Sequence, residues 1–168
     1  MSHARVSIVM GSDSDLEVML EAASALKSFN IPHEVRVLSA HRSPNLLAKW
    51  MQEAEAAGTK VFIAGAGAAA ALPGAVAALT PRPVIGVPIP SSHLQGLDSL
   101  LAIAQLPPGT PAATVAIGKG GARNAGLLAV QILAVADEAL AVKFQAFKDE
   151  QEAAIGRKDE QVRKQHSA

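Results

Sequence analysis

The chain has 168 residues, 49% of them apolar, which suits a single domain with a substantial core. Lys plus Arg total 15 and Asp plus Glu total 15, so nothing in the charge balance points to nucleic acid or an anionic membrane as partner. The absence of cysteine excludes disulfides, thiolate metal sites and a cysteine nucleophile. Met1 to Arg5 is polar and carries no leader signature, and Gly, Pro or charge interrupts every apolar run short of the ~20 residues of a membrane helix. A soluble, cytoplasmic protein is the expectation.

Val6–Met10 reads as a buried strand ended by Gly11. From Leu16 to Phe29 apolar residues recur at helical spacing until Asn30 and Pro32 stop the helix. Val35–Leu38 is the second strand, expected to be central. Ser43-Pro44 predicts a helix start, with Ser as N-cap and Pro at the first helical position, and Gly58 predicts its end. Val61–Ala64 is the third strand, followed by a loop through Gly65-Ala66-Gly67. Pro73 opens a short helix ending near Thr80.

Val84–Val87 is the fourth strand, and a helix follows from about Leu97 to Gln105. A turn at Pro107–Gly109 precedes the fifth strand, Thr114–Ile117, and then a helix from Asn124 to Ala136. From about residue 137 a last helix grows steadily more charged and frays near His166. Alternating strands and helices predict an α/β domain spanning 1–168, with a parallel sheet of flavodoxin-like order, helices on both faces and a C-terminal helical extension. Right-handed crossovers place every strand-to-helix loop on one sheet edge, where such folds bind ligands. Aromatic residues make up only 3% and alanine is abundant, so helices can approach closely, which suits a compact oligomer.

Two loops on that edge stand out. In Gly11-Ser12-Asp13-Ser14-Asp15, backbone N–H groups and hydroxyls could hold a phosphate or sugar, Asp15 could accept from ribose hydroxyls, or Ser and Asp could simply cap the helix. In Ser39-Ala40-His41-Arg42-Ser43-Pro44 a proton-transferring imidazole stands beside a planar cationic fork suited to phosphate or carboxylate. Positive charge near a helix start is slightly unfavourable, which favours a functional reading of this pair over a surface one.

Other motifs are set aside. Gly65-Ala66-Gly67-Ala68-Ala69-Ala70 superficially fits the dinucleotide fingerprint, but it follows the third strand, and no Asp or Glu lies between Glu55 and Asp98 to hold a ribose. It reads as close backbone approach to a ligand. Gly118-Lys119 lacks the spacing of a phosphate-binding Walker loop. The histidines at 3, 33, 41, 93 and 166 show no metal-ligand spacing. His93 lies in an active-edge loop and its role stays open.

Taken together, Gly11–Asp15, Ser39–Pro44, Ile63–Gly67, Leu72-Pro73-Gly74, Val84–Pro88, Gly96–Leu101 and Asn124–Ala129 occur in the order seen in class I 5-(carboxyamino)imidazole ribonucleotide mutases of purine biosynthesis, and the chain resembles that family over roughly residues 5 to 140. Ser39-Ala40-His41-Arg42 resembles class I, since the direct carboxylases of the second class carry Lys where Arg42 stands. The resemblance implies a three-layer α/β subunit, a homo-octamer, and an isomerase that uses no metal, nucleotide or organic cofactor. It implies conversion of the substrate into 4-carboxy-5-aminoimidazole ribonucleotide, with His41 as general acid/base. It places substrate contacts at Ser12, Asp15, Ser39, Arg42 and Gly67.

One segment departs from the family pattern. Where relatives read Gly-Gly-Ala-Ala-His-Leu-Pro-Gly, this chain has Gly67-Ala68-Ala69-Ala70-Ala71-Leu72-Pro73-Gly74, so Ala68 replaces a glycine and Ala71 a histidine. The lost imidazole predicts a slower enzyme. Two rival readings stand beside the mutase: direct carboxylation of aminoimidazole ribonucleotide by CO2, and a nucleotide-binding protein that has lost turnover.

Overall fold

The structure, a computed structural model, describes residues 4–90 and 93–166. Strands β1 (Val6–Met10), β2 (His33–Val37), β3 (Val61–Gly67), β4 (Val84–Ile89) and β5 (Ala113–Thr114) form one parallel sheet. Its order, β2-β1-β3-β4-β5, is the flavodoxin-like one expected. Helices α1 (Leu16–Ser28), α2 (Pro44–Ala56), α3 (Ala71–Leu79) and α4 (Leu97–Ala104) connect successive strands. Helix α5 (Gly118–Ala134) follows β5, and α6 (Glu138–His166) follows α5.

The central strands read as near-continuous apolar runs because both faces are covered. All five residues of β1 and all six of β4 are buried. On one face Val9, Phe62, Ala64 and Ala66 pack with Leu47, Trp50 and Met51 of α2, Leu72 and Val76 of α3, and Ile103 of α4. Trp50 meets Phe62 edge-on, with ring centroids 5.8 Å apart. The opposite face takes α1, whose Met19 fills the space above Gly65 that any Cβ would occupy. Helix α5 crosses α1 at Gly126, where a Cβ would lie 2.6 Å from the Ala22 carbonyl oxygen. Close backbone approach is the use this chain makes of its small residues.

Several boundaries differ from the sequence expectation. β2 is an edge strand, with Arg36 and Val37 exposed, and not a central one. A part-buried polar cluster fixes it against β1: Ser7 Oγ donates to Glu34 Oε1 at 2.9 Å, Trp50 Nε1 donates to the same oxygen at 3.2 Å, and Ser7 Oγ lies 2.8 Å from Thr59 Oγ1. Ser7 and Glu34 are register partners, so a slip of one residue would leave these groups unsatisfied.

β3 runs on through Gly67, so Gly65 and Ala66 are strand residues and the dinucleotide pattern lies in the wrong element. β4 continues through Pro88, which a sheet interior would normally reject for want of an N–H. It is tolerated because β5 pairs only with Ile85 and Gly86, leaving that side of Pro88 without a strand. β5 is correspondingly short, ending at Thr114 where the sequence suggested Ile117. α5 begins six residues before Asn124, at Gly118, because Gly121 can pass within reach of the Ala116 carbonyl where a Cβ could not.

Residues up to Ile132 form one compact unit and those from Leu133 a second. In the second unit Asp137 caps α6, its Oδ1 accepting from the Leu140 N–H at 3.1 Å. Ion pairs between Arg157 and Glu150 and between Arg163 and Asp159 lie along the exposed, charged stretch of that helix. Among the described residues no helix is long and apolar enough to cross a membrane.

Candidate active site

A cavity of about 360 Å³ opens at the carboxyl ends of β1, β2 and β3. The chain goes on from β1 to β2 on one side and from the adjacent β3 to β4 on the other, and parallel α/β sheets admit a ligand where connections part in this way. Its lining comes from the three loops that follow these strands. Ser12, Asp15, Ser39, His41, Arg42, Gly67, Ala68 and Ala71, all singled out from sequence, meet in it. Ser14, whose hydroxyl the sequence also offered as a phosphate or sugar contact, lines it too, as does Ala40. His93 is exposed on the turn before α4 and is not among the lining residues.

The first wall is a single 3-10 turn, Asp13–Asp15, between β1 and α1. Ser12 caps this turn, its Oγ accepting from the Ser14 N–H at 3.3 Å. The Ser14 hydroxyl lies 2.9 Å from Ser12 Oγ and 3.4 Å from Asp15 Oδ1. Asp15 makes no capping bond to α1, although it occupies the N-cap position. The capping reading therefore holds for Ser12 on the 3-10 turn and fails for Asp15. Asp15 as a residue is only 8% exposed. Burial raises its pKa above the ordinary 3.8, opposed by the Ser14 hydroxyl and the Arg42 charge and aided by Asp13.

The second wall is the Ser39–Ser43 loop between β2 and α2. Arg42 reaches across to the first wall, donating from Nη2 to the Gly11 carbonyl at 2.7 Å. Its backbone N–H donates to Ser39 Oγ at 3.1 Å. His41 stands beside it, exposed, with no hydrogen-bond partner for its ring among the described residues. Ser43 makes no side-chain capping bond to α2, contrary to the sequence expectation, and bonds back to Ser39 instead.

The third wall is the alanine-rich segment from Ala66 to Leu72. Ala70 N–H donates to the Gly67 carbonyl at 3.0 Å, closing a tight turn. Within it Ala68 (φ 51°) and Ala70 (φ 39°) take the left-handed conformation that glycine adopts more easily. α3 begins at Ala71, two residues before Pro73, and Ala70 at its N-cap offers no capping side chain. The wall presents methyl groups and backbone to the cavity, while charge and hydroxyls sit on the other two walls. Among the described residues no cluster of three or more His, Asp or Glu is arranged to hold a metal ion.

This arrangement can grip an anionic, hydroxyl-rich ligand from one side and keep an apolar surface against its reacting end. A sequence model of the AIR carboxylase family matches residues 5–154. The chain belongs to the AIR carboxylase family. It is 53% identical over 160 residues to the N5-carboxyaminoimidazole ribonucleotide mutase of Mycobacterium tuberculosis, covering 95% of this chain and 91% of that protein. It is 55% identical over 146 residues to the mutase of the same name from Saccharolobus solfataricus, covering 87% and 91%. The crystal structure of Treponema denticola PurE superimposes with a TM-score of 0.86 at 30% identity, covering 94% of this chain and 97% of that one. The family match therefore spans every strand and all three walls of the cavity.

Proposed function

We propose that this chain is an N5-carboxyaminoimidazole ribonucleotide mutase, an isomerase of purine biosynthesis that forms 4-carboxy-5-aminoimidazole ribonucleotide. The observation that carries the reading is the meeting of His41, Arg42 and Asp15 in one cavity with a methyl-lined wall, in a chain with extensive identity to mutases. Arg42, Ser12, Ser39 and Asp15 hold the ribonucleotide, and the Gly67 backbone lets it approach β3.

The reaction then needs one proton-transfer group. The bond between the exocyclic nitrogen and its carboxylate carbon breaks, and its electron pair returns to nitrogen, which takes a proton from His41. CO2 stays against the apolar wall. The ring carbon attacks it, and the proton displaced from that carbon passes back to His41. Atoms and electrons balance with no oxidant, reductant or nucleotide.

Purified protein is assayed with each ribonucleotide, with and without bicarbonate, after chelation and without ATP. A mutase turns over the carboxyamino substrate with no bicarbonate requirement. Turnover only of aminoimidazole ribonucleotide with bicarbonate would make the chain a direct carboxylase, and binding without turnover would make it a regulatory relative. His41→Asn should abolish turnover and leave ribonucleotide affinity within about tenfold, because acid/base catalysis supplies ~10²–10⁴ in rate. Near-parent turnover would sink the assignment.

The assembly belongs to the same reading: a homo-octamer in the cytoplasm, with sites near subunit boundaries. Leu94, Leu97 and Leu101 are 62%, 51% and 47% exposed on and before α4, an apolar surface suited to burial between subunits. Light scattering that finds a stable monomer at micromolar concentration would overturn it.

A further inference from the structure

The geometry points to Ser43 as a positioning residue that aims the His41 imidazole, a role that rests on the acid/base reading of His41. Catalytic imidazoles are commonly oriented by a partner on the second ring nitrogen. The backbone that carries His41 sets the point and the direction from which its side chain projects into the cavity. That backbone is a five-residue loop, Ser39–Ser43, closed on itself by hydroxyls.

The closure is reciprocal. Ser43 Oγ accepts from the Ser39 N–H at 2.9 Å and donates to the Ser39 carbonyl at 3.1 Å. The Ser43 N–H donates to that same carbonyl at 3.0 Å. Ser43 is itself anchored, since its carbonyl accepts the first helical bond of α2 from the Leu47 N–H at 3.0 Å, and Leu47 is 1% exposed in the core. The path therefore runs from the core-facing side of α2 through Ser43 to both backbone groups of Ser39. His41 sits between the two clamped ends. Ser43 does not line the cavity, so it acts through the loop and not on a ligand.

Arg42 depends on this clamp less than His41 does. Its guanidinium is tied separately, to the Gly11 carbonyl of the neighbouring loop. Losing the Ser43 hydroxyl should thus misdirect the imidazole and spare the grip on substrate. The same position would look like an ordinary helix N-cap from sequence. The two roles make opposite demands on an aspartate. As an N-cap, Asp serves as well as Ser. As a clamp it fails, because an ionised carboxylate accepts only and would face the Ser39 carbonyl oxygen.

The test is steady-state kinetics and thermal unfolding of Ser43→Ala, Ser43→Asp and Ser43→Thr, with His41→Asn alongside. Ser43→Ala should lower kcat about tenfold or more with KM within about threefold, as small misplacements of a reacting group do. Ser43→Asp should be as slow as Ser43→Ala even where it unfolds at the parent temperature or higher. Ser43→Thr, which keeps the hydroxyl, should hold kcat within about threefold. Parent-like kcat in Ser43→Ala, recovery in Ser43→Asp, a KM rise matching the loss in kcat, or a Ser43→Thr enzyme as slow as the alanine variant would each overturn the proposal. Should Ser43→Ala fail to fold, the aspartate and threonine variants decide. Near-parent turnover in His41→Asn would instead remove the acid/base reading itself. An inactive His41→Asn beside an unimpaired Ser43→Ala would remove the clamp alone.

Discussion

The Arg42 guanidinium donates to the Gly11 carbonyl across 2.7 Å, tying the loop after β2 to the loop after β1. Two of the three cavity walls are thereby joined before any ligand arrives, with donors left over on the same planar fork for an anion. Lysine carries the charge but neither the fork nor the reach to two partners. Arg42→Lys is expected to raise KM by roughly tenfold, the loss of about 1.4 kcal/mol of a charge-assisted bond, with a smaller change in kcat. Equal KM values for the two enzymes would show that Arg42 braces the loops without gripping substrate.

Asp15 should make the protein less stable as pH rises. Burial, the largest influence, lifts its pKa above 3.8 in the folded state. A folded-state pKa above the unfolded one means that folding holds the proton more tightly. The stabilisation is present below the unfolded value and is lost as pH climbs through the raised one. Asp15→Asn keeps an oxygen that can accept from Ser14 and removes the buried charge. It should unfold at a higher temperature than the parent near neutral pH, with the gap closing as pH falls towards 3.8. Substrate affinity should fall in the same variant. Denaturation curves between pH 3 and 8 check the first expectation, and a gap that does not narrow on acidification refutes it.

Ala71 is the first residue of α3 and lines the cavity that holds His41. A ring restored there would stand at the positive end of a helix, which favours its neutral form. Ala71→His is expected to raise kcat by roughly tenfold and change affinity less, its benefit being realised in the transition state. His93→Ala, on an exposed turn away from the lining, should leave kcat within about twofold. If Ala71→His is no faster than the parent, the alanine-rich wall has been re-adapted around a methyl group.

Ala68 carries a φ of 51° at an exposed position on that wall. A methyl group is strained there and a hydrogen is not, though glycine recovers part of the difference as unfolded-chain entropy. Ala68→Gly should therefore stabilise the protein by about 0.5–1 kcal/mol, a rise of roughly 2 °C in Tm. Calorimetry checks it, and a lower Tm would mean that the turn is held by its bonds at no cost to Ala68.

The strand and helix alternation, the parallel sheet and the placement of two active-edge loops were legible in the sequence. They follow from local signals: apolar runs of strand length, helical spacing from Leu16, and the stops at Gly11, Asn30 and Gly58. The gathering of His41, Arg42, Ser12 and Asp15 could be expected because loops at the carboxyl ends of parallel strands share one edge. What the sequence could not carry is set by partners distant along the chain. β3 reaches Gly67 because β4 lies beside it as far as Ile89, and Pro88 is allowed only because β5 stops early. Asp15 is buried by packing that its own neighbours do not announce. Ser43 looks like a helix cap in any reading of Ser-Pro, since capping is judged from the residues that follow. Only the folded loop brings the Ser39 backbone within hydrogen-bond reach of its hydroxyl, and turns a capping residue into a clamp.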